Sequence, residues 1–328
     1  MKKLLRRTFL LAIIAGASFM FWAESPIIAD GQPPIEFAIT PGSSLKSSMQ
    51  QIDAAGVPVQ PLLMIVLAQV TGNSTKLKAG TYDLKPGTTP RGLVNQLVRG
   101  EFAQEALTVI EGWNFKQMRQ AINAHPSLKH DTVALSDQEL MAKISNDDKK
   151  PEGLFYPDTY MFAKNSSDLQ IYKQAHSLML KHLNEAWLAR DQTLPYASPY
   201  EALIMASIVE KETGKKSERT MIAGVFVNRL KQGMLLQTDP TVIYGMGDNY
   251  KGNIRKRDLL TDTPYNTYTR LGLPPTPIAL PGIESLHAAM NPAATDAVYF
   301  VSRGDGSSQF SSTLDDHNNA VNKYQRKQ

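Results

Sequence analysis

The sequence predicts an α+β protein in three parts: an N-terminal transmembrane helix, a small α+β subdomain and a larger mixed α/β domain that carries the chemistry. Three observations predict it. A basic cap precedes a long uncharged stretch at 8–23, strand-like and helix-like periods alternate from residue 35 onward, and a nearly all-apolar helix ends on Glu210 and Glu212.

The chain has 328 residues, 42% of them hydrophobic and 20% charged. That is enough for one large or two ordinary domains with real cores, and too apolar for general disorder. The net charge is +4, from 35 basic and 31 acidic residues, and Lys2, Lys3, Arg6 and Arg7 account for all of it. Without them 31 basic residues face 31 acidic ones, so no basic excess remains for a nucleic-acid partner. The absence of cysteine excludes disulfides, thiol catalysis, cysteine metal sites and a lipidated N-terminal cysteine.

Residues 1–23 read as a cytoplasmic tip and membrane anchor. Sixteen uncharged helical residues rise about 24 Å, a little less than the ~30 Å hydrocarbon core. A cleavable signal would be cut after Ala15-Gly16-Ala17 and would leave bulky SFMFW on the new terminus, which favours the anchor. Either way the positive end stays cytoplasmic and residues 24–328 lie across the membrane, on the outer side.

Residues 35–103 open with the alternating strand IEFAIT and a Pro41-Gly42 turn. Helices are expected at 45–55 and 61–70, a short strand between Gly80 and Gly87, and a third helix from Pro90. A strand, two helices and a returning strand resemble the outline of the LysM fold, which implies affinity for amino-sugar polymers. A generic α+β spacer has the same outline. Residues 104–195 form a connector packing on the catalytic region: a strand and turn at 107–115, then helices at 116–124, 137–144 and 168–190. The aromatic stretch PEGLFYPDTYMF at 151–162 is expected as a packed loop.

Residues 196–328 form the catalytic domain. Ser198-Pro199-Tyr200-Glu201 carries a capping serine, a proline at the first helical position and a glutamate three residues after the cap. The helix it opens has one polar residue, Ser207, from 202 to 209, and Gly214 is expected to stop it. Glu210 shares a face with Leu203, Ala206 and Ser207. A carboxyl at the end of such a helix is expected to be desolvated and to hold its proton near neutral pH, as the acid of glycosidic-bond cleavage must. The competing reading is a buried ion pair with an arginine such as Arg229. Glu212 points away, near Lys215 and Lys216, and reads as a solvated ion.

The segments ASIVEKETG (206–214), VFVNRL (225–230), LQTDPTVIYGMG (236–247), YNTY (265–268), GLPPTPIALPG (272–282) and AAMNPA (288–293) together resemble the endolytic murein transglycosylases, the YceG-like family. EGLFYPDTY at 152–160, the anchor and the LysM-like outline extend the resemblance over nearly the whole chain. It implies a lytic transglycosylase, a carbon–oxygen lyase that cuts MurNAc–GlcNAc bonds inside nascent glycan strands, leaves 1,6-anhydro-MurNAc ends and terminates strand elongation. It also implies residence in the bacterial cytoplasmic membrane, peptidoglycan strands as substrate, peptidoglycan synthases as partners, and Glu210 as the catalytic residue. No cofactor or metal is expected.

Such an enzyme needs one carboxyl group, because the nucleophile is the muramyl C6 hydroxyl of the substrate. Gln237, Asp239, Asn266 and Tyr268 are candidate substrate-binding residues, with turn formation as the alternative role. Tyr156, Tyr160 and Tyr265 could stack on sugars or pack in the core. His287 and His317 lack a metal-ligand spacing and read as structural or surface residues. Two other functions remain open: a muramidase-type hydrolase with Asp239 positioning water, and a non-catalytic peptidoglycan-binding scaffold.

Overall fold

The computed structural model describes residues 2–147 and 150–325. The chain forms two compact units. The first runs to Ala106 and takes in Ser127–Lys129 and Met161–Ser166, and the second holds Leu107–Pro126, His130–Tyr160 and the residues from Ser167 onward. Thirteen helices and three two-stranded sheets among the described residues make the fold α+β.

In the first unit, α1 (Lys2–Glu24) exposes Leu5, Phe9, Leu10 and Phe21. Among the described residues it is the one helix long and apolar enough to cross a membrane. Its last turns are different in kind. Phe19, Trp22 and Ala23 pack into the same core as Phe37, Ile52, Tyr82 and Leu93. The chain after it is pinned by Ile27 N–H donating to Thr88 O at 2.8 Å and Gly87 N–H donating to Ile28 O at 3.2 Å.

Then come β1 (Ile35–Ile39), α2 (Leu45–Ala54), α3 (Pro61–Val70), β2 (Gly80–Leu84) and α4 (Pro90–Arg99). β1 and β2 are antiparallel, with Ile35 opposite Leu84 and Ile39 opposite Gly80. Local chemistry sets the helix starts: Ser44 caps the Ser47 N–H at 3.2 Å, Thr89 caps the Gly92 N–H at 3.0 Å, and prolines open α3 and α4.

β3 (Gln104–Thr108), α5 (Phe115–Ala124), α6 (Asp137–Ile144), β4 (Thr159–Ala163) and α7 (Leu169–Leu188) continue the chain, and β3 pairs with β4. The strand expected within 107–115 thus starts earlier, because Gly112, at φ +78°, belongs to the turn that follows it. The aromatic stretch expected as a loop supplies β4, whose alternation buries Tyr160 and Phe162.

The second unit continues with α8 (Pro199–Glu212), α9 (Arg219–Lys231), α10 (Asp239–Met246), α11 (Lys256–Leu260), α12 (Ile283–Met290), β5 (Tyr299–Ser302), β6 (Ser308–Ser311) and α13 (Leu314–Tyr324). α7, α9, α10 and α12 all pack on α8, and β5 and β6 form an antiparallel hairpin. Gly214 is not the stop of α8. Thr213, extended at φ −142°, caps it instead, and Gly214 is absent from the positions with positive φ.

Gly153 sits at φ +81°, where an added Cβ would lie 2.4 Å from ring carbons of Pro277. Gly153→Ala is therefore expected to destabilise the protein by about 1–3 kcal/mol, through left-handed strain and overpacking together. Thermal melting measures this, and an unchanged Tm would contradict the close approach.

Candidate active site

α8 is fixed at its start by neighbours in sequence. Ser198 Oγ accepts the Glu201 N–H at 3.3 Å, Pro199 occupies the first turn, and the Glu201 carboxylate accepts the Ala197 N–H at 2.6 Å. Every residue from 202 to 209 is then buried. Ser207 is satisfied there, donating to Ile204 O at 2.7 Å and accepting the Ile278 N–H at 3.0 Å, which ties the 272–282 segment to the helix. Two glutamates end the helix, about 200° apart around its axis.

Glu210 is buried in an ion pair. Its Oε1 lies 3.1 Å from Arg219 Nη2, both side chains are 5% exposed, and its Oε2 accepts the Gly282 N–H at 3.0 Å. Glu111 approaches the same guanidinium nitrogen at 3.9 Å. Of the two readings of Glu210, desolvated acid or buried ion pair with an arginine, the geometry shows the ion pair, because the chain after α8 returns Arg219 to it. The expected partner is corrected. Arg229 donates to the carbonyls of Val298 (2.6 Å), Leu235 (2.9 Å) and Leu236 (3.0 Å) and to Gln237 Oε1 (3.2 Å).

Glu212 also departs from its expected role as a solvated ion. Lys215 pairs with Glu218 at 3.1 Å instead, and the start of α10 meets Glu212, with Thr238 Oγ1 donating to its Oε1 at 3.1 Å. The residue keeps some surface at a cleft, while protein encloses its carboxyl. Burial pushes that carboxyl up to about 7; the Thr238 bond opposes the shift and the neighbouring Asp239 charge adds to it.

The cleft has a volume of about 420 Å³ and brings Glu212 together with Arg229, Gln237, Asp239, Tyr268 and His317. Gln237 is held at φ +51°, a conformation rare for a residue with a side chain, by its N–H to Thr267 O at 3.1 Å and by Arg229. Tyr268 donates to Asp239 Oδ1 at 2.6 Å. Burial first, then that bond to Asp239, raises the Tyr268 phenol well above its ordinary value, so it remains a donor. Asn266 is not in the cleft lining. Fully buried, it donates to Leu259 O (3.0 Å) and Thr261 O (2.7 Å) and accepts the Tyr268 N–H at 2.9 Å, so it braces the turn that presents Tyr268.

Two residues line clefts without having been assigned to a site from the sequence, His317, read there as structural or surface, and Glu152. His317 lines the cleft, stacked on Tyr299 with ring centroids 5.0 Å apart. Burial, then the Arg229 charge, lowers its pKa and favours the neutral ring. Helical spacing from Val321 and Gln325, which line the same wall, was the only available signal. Glu152 is the second, with burial pushing its carboxyl up to about 7. Both its oxygens are engaged, by the Phe115 N–H at 3.1 and 3.2 Å and the Tyr244 hydroxyl at 3.0 Å. Of the three tyrosines, Tyr160 is core, Tyr156 packs on His182 with centroids 4.5 Å apart, and Tyr265 bonds Thr276 at 2.9 Å. Among the described residues no three His, Asp or Glu side chains are grouped to hold a metal ion.

The raised Glu212 carboxyl means that the folded chain binds this proton more tightly than the unfolded chain does. The resulting stabilisation is full below about 4.5, the ordinary value, and is lost as pH rises through about 7. Glu212→Gln carries no such proton, so its Tm relative to the parent protein should rise between those pH values and level off above them. A difference constant with pH would mean that the carboxyl ionises freely in the cleft.

The YceG-like family profile matches residues 37–323. An endolytic murein transglycosylase of Bacillus subtilis (strain 168) is 31% identical over 336 residues, covering 95% of this chain and 91% of that protein. One from Streptococcus pneumoniae serotype 2 is 27% identical over 354 residues, and this chain spans only 63% of its length. The crystal structure of a yceG-like protein from Listeria monocytogenes matches with a TM-score of 0.57 at 31% identity, covering 87% of this chain and 98% of that one. This chain belongs to the YceG-like family.

Proposed function

We propose that this protein is an endolytic lytic transglycosylase of peptidoglycan and that Glu212 is its acid and base. The observation that carries the assignment is a carboxyl enclosed by protein, raised to about 7, and set in a cleft beside Gln237, Asp239 and Tyr268. Only its Oε1 has a described hydrogen bond, which leaves Oε2 to give up or accept a proton. Glu210, the residue to which the family resemblance points, has its charge committed to Arg219 and one oxygen to Gly282, so it fits a positioning role. Glu152 has the same raised carboxyl with both oxygens occupied.

Chemically, protonated Glu212 delivers its proton to the glycosidic oxygen as the bond from muramyl C1 to that oxygen breaks. The C6 hydroxyl of the same muramyl residue then closes on C1 and gives its proton to the Glu212 carboxylate. One strand ends in 1,6-anhydro-MurNAc, the other begins with a free GlcNAc hydroxyl, and no water is consumed. The Asp239 charge helps keep Glu212 protonated before the first step, while Tyr268 and Gln237 are placed to hydrogen-bond sugar hydroxyl and N-acetyl groups. A hydrolase reading would need Asp239 to activate water, and the Asp239 oxygen nearest Tyr268 is already occupied.

We further propose the finer organisation: 1–23 as tip and anchor, 35–103 as a LysM-like glycan-binding module, 104–195 as a connector packing on the catalytic region, and 196–328 as the catalytic domain on the outer face of the cytoplasmic membrane. The strand, two helices and paired returning strand of β1, α2, α3 and β2 support the module. The basic cap and exposed apolar length of α1 support the topology. Peptidoglycan synthases, which work at the same membrane face, are the partner class the family resemblance implies. Protease added outside spheroplasts should digest everything beyond the anchor, and the chain lacking 35–103 should sediment less with the glycan polymer. A protected chain or unchanged sedimentation would refute the corresponding part.

Product mass spectrometry tests the central assignment. Glu212→Gln should lower the rate of anhydro-product formation at least ~10²–10⁴-fold. Glu210→Gln should keep far more activity at permissive temperature but lose about 3–5 kcal/mol of stability, since Arg219 stays buried without its partner charge. The opposite pattern would return the acid role to Glu210.

A further inference from the structure

A second cleft, of about 500 Å³, is also bordered by α10. Asp239, the first residue of that helix, lines the Glu212 cleft, whereas Ile243 and Tyr244 line the second. A helix with its side chains is about 10 Å across. The two clefts are therefore near enough to hold adjoining parts of one polymeric substrate.

Asn114, Lys116, Gln117 and Lys211 furnish this second cleft with donors. Asn114 and Gln117 form the capping box of α5, in which each side-chain oxygen accepts the other residue's backbone N–H, at 2.9 Å in both directions. Each oxygen thus already accepts one bond, and both NH₂ groups remain as donors. Lys211 uses one of its three N–H donors on Gly112 O at 3.2 Å. Lys116 lies 2.6 and 2.8 Å from the two oxygens of Asp248, so the exposed carboxylate of the lining is already neutralised. Glu152, at the floor, accepts from Phe115 and Tyr244. What remains for a ligand is a ring of N–H donors with positive charge and the ring surfaces of Tyr244 and Tyr250. A bare sugar strand offers hydroxyls that both donate and accept. A carboxylate-bearing peptide offers the acceptors and negative charge that this lining lacks.

We propose that this cleft binds the carboxylate-bearing peptide attached to the muramyl sugar of the glycan strand, so that the protein selects peptide-substituted strands over bare ones. The proposal rests on the transglycosylase reading and adds a determinant of specificity to it. Lys211 is its charged contact, and it acts on binding, not on bond cleavage.

Steady-state cleavage by the full-length protein in detergent tests this, with peptide-bearing strands set against strands stripped by an amidase. The parent protein should show a KM at least about tenfold lower for peptide-bearing strands, the scale of one charge-assisted hydrogen bond. Lys211→Met should erase that preference with little change in kcat. Equal KM values for both strands in the parent protein would overturn the proposal. So would a preference that survives in Lys211→Met, or a loss that falls equally on both strands. If the parent protein cleaves neither strand, the transglycosylase reading fails, and titration of a soluble muramyl peptide into the same protein still decides this proposal. Saturable binding weakened about tenfold by Lys211→Met supports it, and no binding ends it.

Discussion

Everything in the catalytic unit is arranged around a helix that has no solvent face. Every residue of α8 from 202 to 209 is buried, because α7, α9, α10 and α12 all pack on it. A helix enclosed in this way can carry charge only at its ends. The carboxyls of this chain accordingly appear at 210 and 212, in its last turn, where the chain leaves the core. Ser207 is the exception that tests the constraint, and it is tolerated because its hydroxyl has both a donor and an acceptor within reach.

Two glutamates a residue apart then acquire opposite characters from what lies above and below them. Glu210 meets a guanidinium and a backbone N–H, which together hold a charge in place. Glu212 is desolvated and meets a hydroxyl and a second carboxylate, and burial with that neighbouring charge favours the neutral acid. The same helix end therefore supplies a buried ion pair and a carboxyl whose pKa burial raises. α10 likewise borders two clefts, with Asp239 lining one and Tyr244 the other.

Much of this fold was legible because much of it is local. Helices α3 and α6 lie at the expected residues, 61–70 and 137–144, opened by a proline and a capping box, and the start of α8 follows from Ser198, Pro199 and Glu201. The cleft residues Gln237, Asp239 and Tyr268 were legible through family resemblance. The roles of the glutamates were not. A helical projection places Glu210 and Glu212 on opposing sides, but it cannot say that Arg219 returns under one and Thr238 over the other. Those partners lie 9 and 26 residues away, beyond turns whose direction tertiary packing decides. Asn266 shows the same limit: a turn-forming residue and a ligand-binding residue look alike until its three neighbouring polar groups are seen to be backbone.

The join between α1 and the first unit has a consequence for reach. The helix runs without interruption into the module, and Phe19, Trp22 and Ala23 are already part of its core. No flexible leash separates the two. With α1 set in a bilayer, the first unit would be held close against the lipid, because the last turns of the helix already belong to its core. Such an attachment would confine that unit to a thin layer of space along the membrane surface.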